Sequence, residues 1–164
     1  MTSYTGGILT ISDKGSRGER EDTSGPQLRA MLTEQGFSVV AYAIVPDEIA
    51  IIRETLLTWV DKDKIDLILS TGGTGVSPSD LTPEATRAVL DREIPGIGEA
   101  MRLASLQKTP NAILSRGIAG TRKQSLIINL PGSKKAAKEN LEAVLPALQH
   151  ALYKIKGGTK DCGS

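Results

Sequence analysis

The chain has 164 residues and a formal net charge of +1. It is long enough to bury one domain's core and too neutral overall to be built for pulling on nucleic acid or an anionic membrane. One cysteine, Cys162, and one histidine, His150, exclude an intramolecular disulfide framework, a cysteine-built zinc cluster and a His-rich metal site.

The opening MTSYTGG has neither the basic nor the apolar region of a signal peptide. No apolar run reaches the roughly 20 residues of a membrane span. The expectation is a soluble protein of a reducing compartment, the cytoplasm by default.

In chain order, residues 8–11 read as a short strand. Leu28, Met31 and Leu32 then recur at helical spacing, and residues 37–45 read as a second strand. Ile49, Ile52, Leu56, Trp59 and Val60 mark a helix face. Residues 67–69 form a third, buried strand that ends in Ser70, Thr71 and two glycines. Thr82-Pro83-Glu84 reads as a helix start, with Thr82 as the cap. Beyond Asp91 the pattern weakens; a helix over 98–106 and a short strand near 112–115 are expected. A strand over 126–130 leads to a long terminal helix carrying Ala137, Leu141, Val144, Leu148 and Leu152, with Pro146 as a kink position. Alternating strands and helices predict an α/β fold with a mostly parallel sheet covered on both faces. One domain is expected over residues 1–156, with a flexible tail over 157–164.

Ligands bind outside the carboxyl ends of the strands in such sheets. Four loops fall there: residues 12–25, 46–47, 71–80 and 131–135. Thr71-Gly72-Gly73-Thr74-Gly75 allows positive φ and close backbone approach, so its amides can cradle an anion or simply turn the chain. Neither a P-loop nor a G-x-G-x-x-G fingerprint is present, which disfavours an ordinary kinase or nicotinamide dehydrogenase. Asp80 reads as an Asx turn or as a carboxylate for Mg²⁺. Asp47 reads first as an N-cap and second as a ligand, and Asp22 and Ser24 face the same choice. Ser133 is a natural N-cap, with Gly132 beside it and lysines 134, 135 and 138 nearby. Trp59 and His150 read as packing or surface residues, and Glu99 with Arg102 as a helix pair.

Taken together, Thr71-Gly72-Gly73-Thr74-Gly75, the stretch from Ser77 to Thr86, and Asn129-Leu130-Pro131-Gly132-Ser133 resemble the molybdopterin-binding family. Ile11-Ser12-Asp13-Lys14-Gly15, Asp22-Thr23-Ser24-Gly25 and Val45-Pro46-Asp47 extend the likeness over nearly the whole chain. The family includes the adenylyltransferases, the cofactor protein B branch and the gephyrin G domains. The resemblance implies a three-layer α/β/α fold and a homotrimer, or a hexamer in the protein B branch. It also implies transfer of AMP from Mg-ATP to molybdopterin, with release of pyrophosphate. It makes Asp47 and Asp80 the essential acids and metal holders. It places Ser12, Gly15, Asp22, Ser24, Thr71, Gly72, Gly73, Thr74, Gly75, Ser77, Gly132 and Ser133 on ligand-contacting loops. The alternatives are a non-catalytic molybdopterin carrier of the same fold, an interaction module, and an amidohydrolase relative.

Overall fold

A computed structural model describes residues 3–161. Six strands form one sheet: β1 (Thr5–Ile11), β2 (Ser38–Val45), β3 (Leu67–Thr71), β4 (Arg92–Glu93), β5 (Ala119–Arg122) and β6 (Ser125–Leu130). Their order is β2-β1-β3-β6-β5-β4. β2, β1, β3 and β6 run parallel, and the β5 and β4 edge is antiparallel.

The helices are α1 (Asp13–Ser16), α2 (Ser24–Glu34), α3 (Ile49–Leu57), α4 (Thr82–Arg87), α5 (Pro95–Leu106) and α6 (Lys134–Ile155). The strand residues alternate between two cores, as the two-residue period requires. Ile8, Leu67, Leu69, Leu126 and Ile128 pack against α2, α5 and α6. Leu9, Ile11, Ile68 and Ile127 pack against α3, α4 and the turn that carries Trp59. This is the expected three-layer α/β/α arrangement. The chain leaves β1 towards β2 on one side and returns to β3 on the other. The switch point therefore lies between the carboxyl ends of β1 and β3, where a crevice forms.

Several local expectations are corrected. Residues 112–115 are not a strand: Pro110–Leu114 is a 3-10 turn, opened by Pro110 and capped by Thr109, whose hydroxyl accepts from the Asn111 amide at 3.3 Å. The sheet is completed instead by β4 and β5. Trp59 and Val60 lie past the end of α3 in a π-turn, Thr58–Lys62, where the Asp63 amide reaches back to the Thr58 carbonyl. Trp59 is buried there, so the packing reading of it holds. Leu81, not Thr82, occupies the N-cap of α4. Arg102 does not pair with Glu99; its guanidinium donates to the Ser115 and Gly117 carbonyls, holding the 3-10 turn against α5. α6 runs unbroken through Pro146. In its last turn, Lys154 Nζ donates to the Lys160 carbonyl beyond the helix at 2.6 Å. Cys162 lies outside the described residues.

Candidate active site

The loops after β1, β2, β3 and β6 converge on a cleft of about 440 Å³, within the range of small-molecule sites. Its floor is the turn after β3. Gly72 and Gly73 have φ of +105° and +67°. A Cβ on Gly72 would stand 2.3 Å from the Ile11 carbonyl oxygen, and one on Gly73 2.3 Å from Thr82 Oγ1. Only glycine turns here and leaves its main chain open to the cleft. The turn is pinned from below: the Gly72 amide donates to the Leu130 carbonyl at 3.1 Å, and Thr82 Oγ1 donates to the Gly72 carbonyl at 2.8 Å. That second bond is what Thr82 does in place of capping.

Asp47 enters from the β2 loop. It is not the N-cap of α3, because Glu48 occupies that position. Asp47 instead exchanges bonds with the β1 loop. Its carboxylate accepts from the Asp13 amide at 3.0 Å, and its own amide donates to the Asp13 carboxylate at 2.9 Å. Burial pushes the Asp47 carboxyl above the ordinary aspartate range, and the negative charges of Asp13 and Asp80 push it the same way, against the Asp13 amide. Asp80 faces it across the glycine turn. Its Oδ2 accepts from the Ser77 amide at 2.9 Å, three residues back, so the bond is not the Asx turn expected.

Several of the hydroxyls serve the loops themselves. Ser12 Oγ caps α1 by accepting from the Gly15 amide at 3.0 Å. Ser24 Oγ donates to the Gly132 carbonyl at 2.9 Å, and Thr71 Oγ1 to the Pro131 carbonyl at 2.6 Å. Asp22 accepts from Thr10 Oγ1 at 2.7 Å, from the Gly25 amide at 3.0 Å and from the Tyr42 hydroxyl. Burial and that bond to Asp22 push the Tyr42 phenol up to about 12. Ser133 caps α6 as expected, accepting from the Ala136 amide at 3.1 Å.

Of the residues expected in the site, Ser12, Gly15, Asp22, Ser24, Asp47, Thr71, Gly72, Gly73, Asp80, Gly132 and Ser133 line the cleft. Thr74, Gly75 and Ser77 do not. Thr74 is buried, and Gly75 and Ser77 sit behind the Asp80 carboxylate. Arg20, Glu21, Thr23 and Ser79, inside the expected loops but not singled out there, also line the walls, and Thr10 on β1 and Tyr42 behind Asp22 were missed. An acceptor-rich loop beside a strand of β-branched residues signals Thr10 only weakly, and nothing in the spacing signals Tyr42.

Four carboxylates, Glu21, Asp22, Asp47 and Asp80, line the cleft against one guanidinium, Arg20. An anionic polyphosphate cannot enter such a lining without bringing cations. Asp47 and Asp80 suit a hard cation such as Mg²⁺, which takes one or two carboxylates and completes its shell with water and phosphate oxygens.

The fold and cleft define a doubly wound α/β domain with a cleft at the topological switch point, floored by glycine backbone and lined by acids. Residues 7–150 match the family model described as a probable molybdopterin binding domain. The chain belongs to that molybdopterin-binding family. It is 48% identical over 149 residues to the molybdopterin adenylyltransferase of Escherichia coli K12, covering 90% of this chain and 76% of that protein. It is 45% identical to the molybdenum cofactor synthesis protein cinnamon of Drosophila melanogaster, covering 94% of this chain but 26% of that much longer one. Among solved structures, the molybdopterin biosynthesis enzyme MoaB from Thermus thermophilus superimposes with a TM-score of 0.89 at 56% identity, covering 94% of this chain and 97% of that one.

Proposed function

We propose that the protein is a molybdopterin adenylyltransferase, transferring AMP from ATP to molybdopterin and releasing pyrophosphate. The observation that carries the reading is the facing of Asp47 and Asp80 across the open Gly72-Gly73 turn, in a cleft whose net lining charge is negative. The similarity to the E. coli adenylyltransferase supports it.

In the reaction, an oxygen of the pterin's terminal phosphate attacks the α-phosphorus of ATP. A new phosphorus–oxygen bond forms, the bond to the oxygen bridging the α- and β-phosphorus breaks, and pyrophosphate leaves with that electron pair. Asp47 and Asp80 would hold Mg²⁺, which would supply neutralisation of the phosphates and of the departing pyrophosphate. The remaining work belongs to main chain and to geometry. The Gly72 amide is committed to the Leu130 carbonyl, so the Gly73 amide and those of the α6 start, at Gly132 and Ser133, hold phosphate oxygens in line. Asp22, braced by Thr10 and Tyr42, presents a fixed acceptor on the wall. Ser12 and the Gly15 amide close the β1 loop on itself, and Ser24 and Thr71 tie their loops to the β6 loop. Thr74, Gly75 and Ser77 act behind Asp80. No side-chain nucleophile is required, because such phosphoryl chemistry rests on positioning and electrostatics.

The same reading makes the protein a homotrimer working in the cytoplasm. A partner copy has a surface to cover: Leu103 and Leu106 on α5 and Ile113 and Leu114 on the 3-10 turn stand in solvent.

Purified protein incubated with molybdopterin, ATP and Mg²⁺ is expected to release pyrophosphate in step with consumption of the pterin. Asp80→Asn is expected to bind the pterin with wild-type affinity and to lose turnover. A wild-type protein that binds pterin and releases no pyrophosphate is a carrier, and the enzyme reading then fails.

A further inference from the structure

The loop that carries Asp80 is not held by the sheet. Arg116, in the segment between the 3-10 turn and β5, closes it, and the mechanism above makes no use of that residue. The Arg116 amide donates to the Thr74 carbonyl at 2.7 Å. Its Nε donates to the Gly75 carbonyl at 2.7 Å and a terminal nitrogen to the Asp80 carbonyl at 2.7 Å. The other terminal nitrogen pairs with the Glu84 carboxylate in the first turn of α4. One planar guanidinium thus grips both ends of the segment 75–80.

Inside that span the loop folds on itself. The Asp80 amide donates to the Ser77 carbonyl at 2.9 Å, and the Ser77 amide donates to Asp80 Oδ2 at 2.9 Å. The carboxylate's direction is therefore set by a ring of main-chain bonds that Arg116 closes from outside. Only an arginine has the fork to reach two carbonyls and a carboxylate at once; a lysine presents one compact ammonium. Glu84 pairs with the guanidinium from the side of α4 and offsets its positive charge.

Resting on the adenylyltransferase reading, we propose that Arg116 is a positioning residue that holds Asp80 for the cation–nucleotide complex without touching that complex. Arg116→Lys keeps the charge and loses the grip. In the metal-free variant, the Ser77 and Asp80 amides are expected to exchange hydrogen about tenfold faster, while the Gly72 amide, bonded to Leu130, exchanges as before. Calorimetric titration with ATP in Mg²⁺ is expected to show binding weakened about tenfold, with molybdopterin affinity unchanged. Glu84→Gln, which leaves the carbonyl bonds in place, is expected to show the same pattern at smaller amplitude. This second variant carries the test if Arg116→Lys fails to fold.

Wild-type exchange at Ser77 and Asp80, or equal losses of nucleotide and pterin affinity, would overturn the proposal. Absence of pyrophosphate release from the wild-type protein would instead remove the enzyme reading. The exchange rates and the Mg-ATP titration would still decide what Arg116 does.

Discussion

Asp47 holds its proton more tightly in the fold than an exposed aspartate does, chiefly because it is half-buried. The unfolded chain releases that proton near the ordinary value, about 3.9. Ionising Asp47 therefore weakens the metal-free fold as pH rises through the folded value, and the penalty vanishes in acid, where both states are protonated. Asp47→Asn should raise the unfolding free energy at about pH 7 and leave it unchanged at about pH 3. Denaturant titrations at the two pH values read this, and an equal effect at both contradicts it. Glycine gives a second residue-scale test. Gly36 has φ +85° with nothing within 4 Å of a Cβ, so Gly36→Ala should cost about 1–2 kcal/mol from backbone strain alone. Gly72→Ala adds collision with the Ile11 carbonyl and should cost distinctly more, by the same titration. The placement of Asp47, Asp80, Gly72 and Gly73 on the cleft was legible in the sequence, although the N-cap reading of Asp47 and the Asx turn of Asp80 were not what these side chains form. Tyr42 and Arg116 were not, because each acts through a fold contact, 20 residues from Asp22 in one case and 36 from Asp80 in the other.

Elements with strong periodicity were equally legible. β1, β3 and β6 and helices α2, α3 and α6 fall close to where the apolar spacing puts them, because each buries apolar side chains; β2 falls there too although most of its residues are only partly buried or exposed, and α5 starts at Pro95, three residues before the expected helix. β4 and β5 escaped notice. β4 is two exposed residues, and β5 reads Ala-Gly-Thr-Arg, with no apolar run. The turn joining β5 to β6 carries Lys123 at φ +51° where glycine or asparagine is usual, so the hairpin has no turn signal. A bidentate pair helps hold it: Arg122 donates to the Asp61 carboxylate of the π-turn at 3.0 and 2.9 Å, which keeps the Asp61 carboxyl below the usual carboxylate range. At this scale α6 gives the clearest test. Pro146 sits exposed within its interior and removes one helical donor. Pro146→Ala should stabilise the fold by about 2–3 kcal/mol, read from denaturant midpoints, and destabilisation would contradict the account of that helix.

At the scale of the whole molecule, sheet order converts local loops into a site. Placing β1 between β2 and β3 opens a crevice at the switch point, and four separate segments meet there. If copies assemble over the exposed face of α5 and the 3-10 turn, sedimentation should give three times the chain mass of 17.4 kDa, and Ile113→Glu should shift the protein towards monomer. The central claim is that paired acids at the sheet's rim accept polyphosphate only through a divalent cation. Calorimetric titration of ATP into the protein with and without Mg²⁺ tests it most directly. The account predicts tight binding with Mg²⁺, little without it, and loss of the difference in Asp47→Asn and Asp80→Asn. Equal affinity in the presence and absence of Mg²⁺ would contradict it.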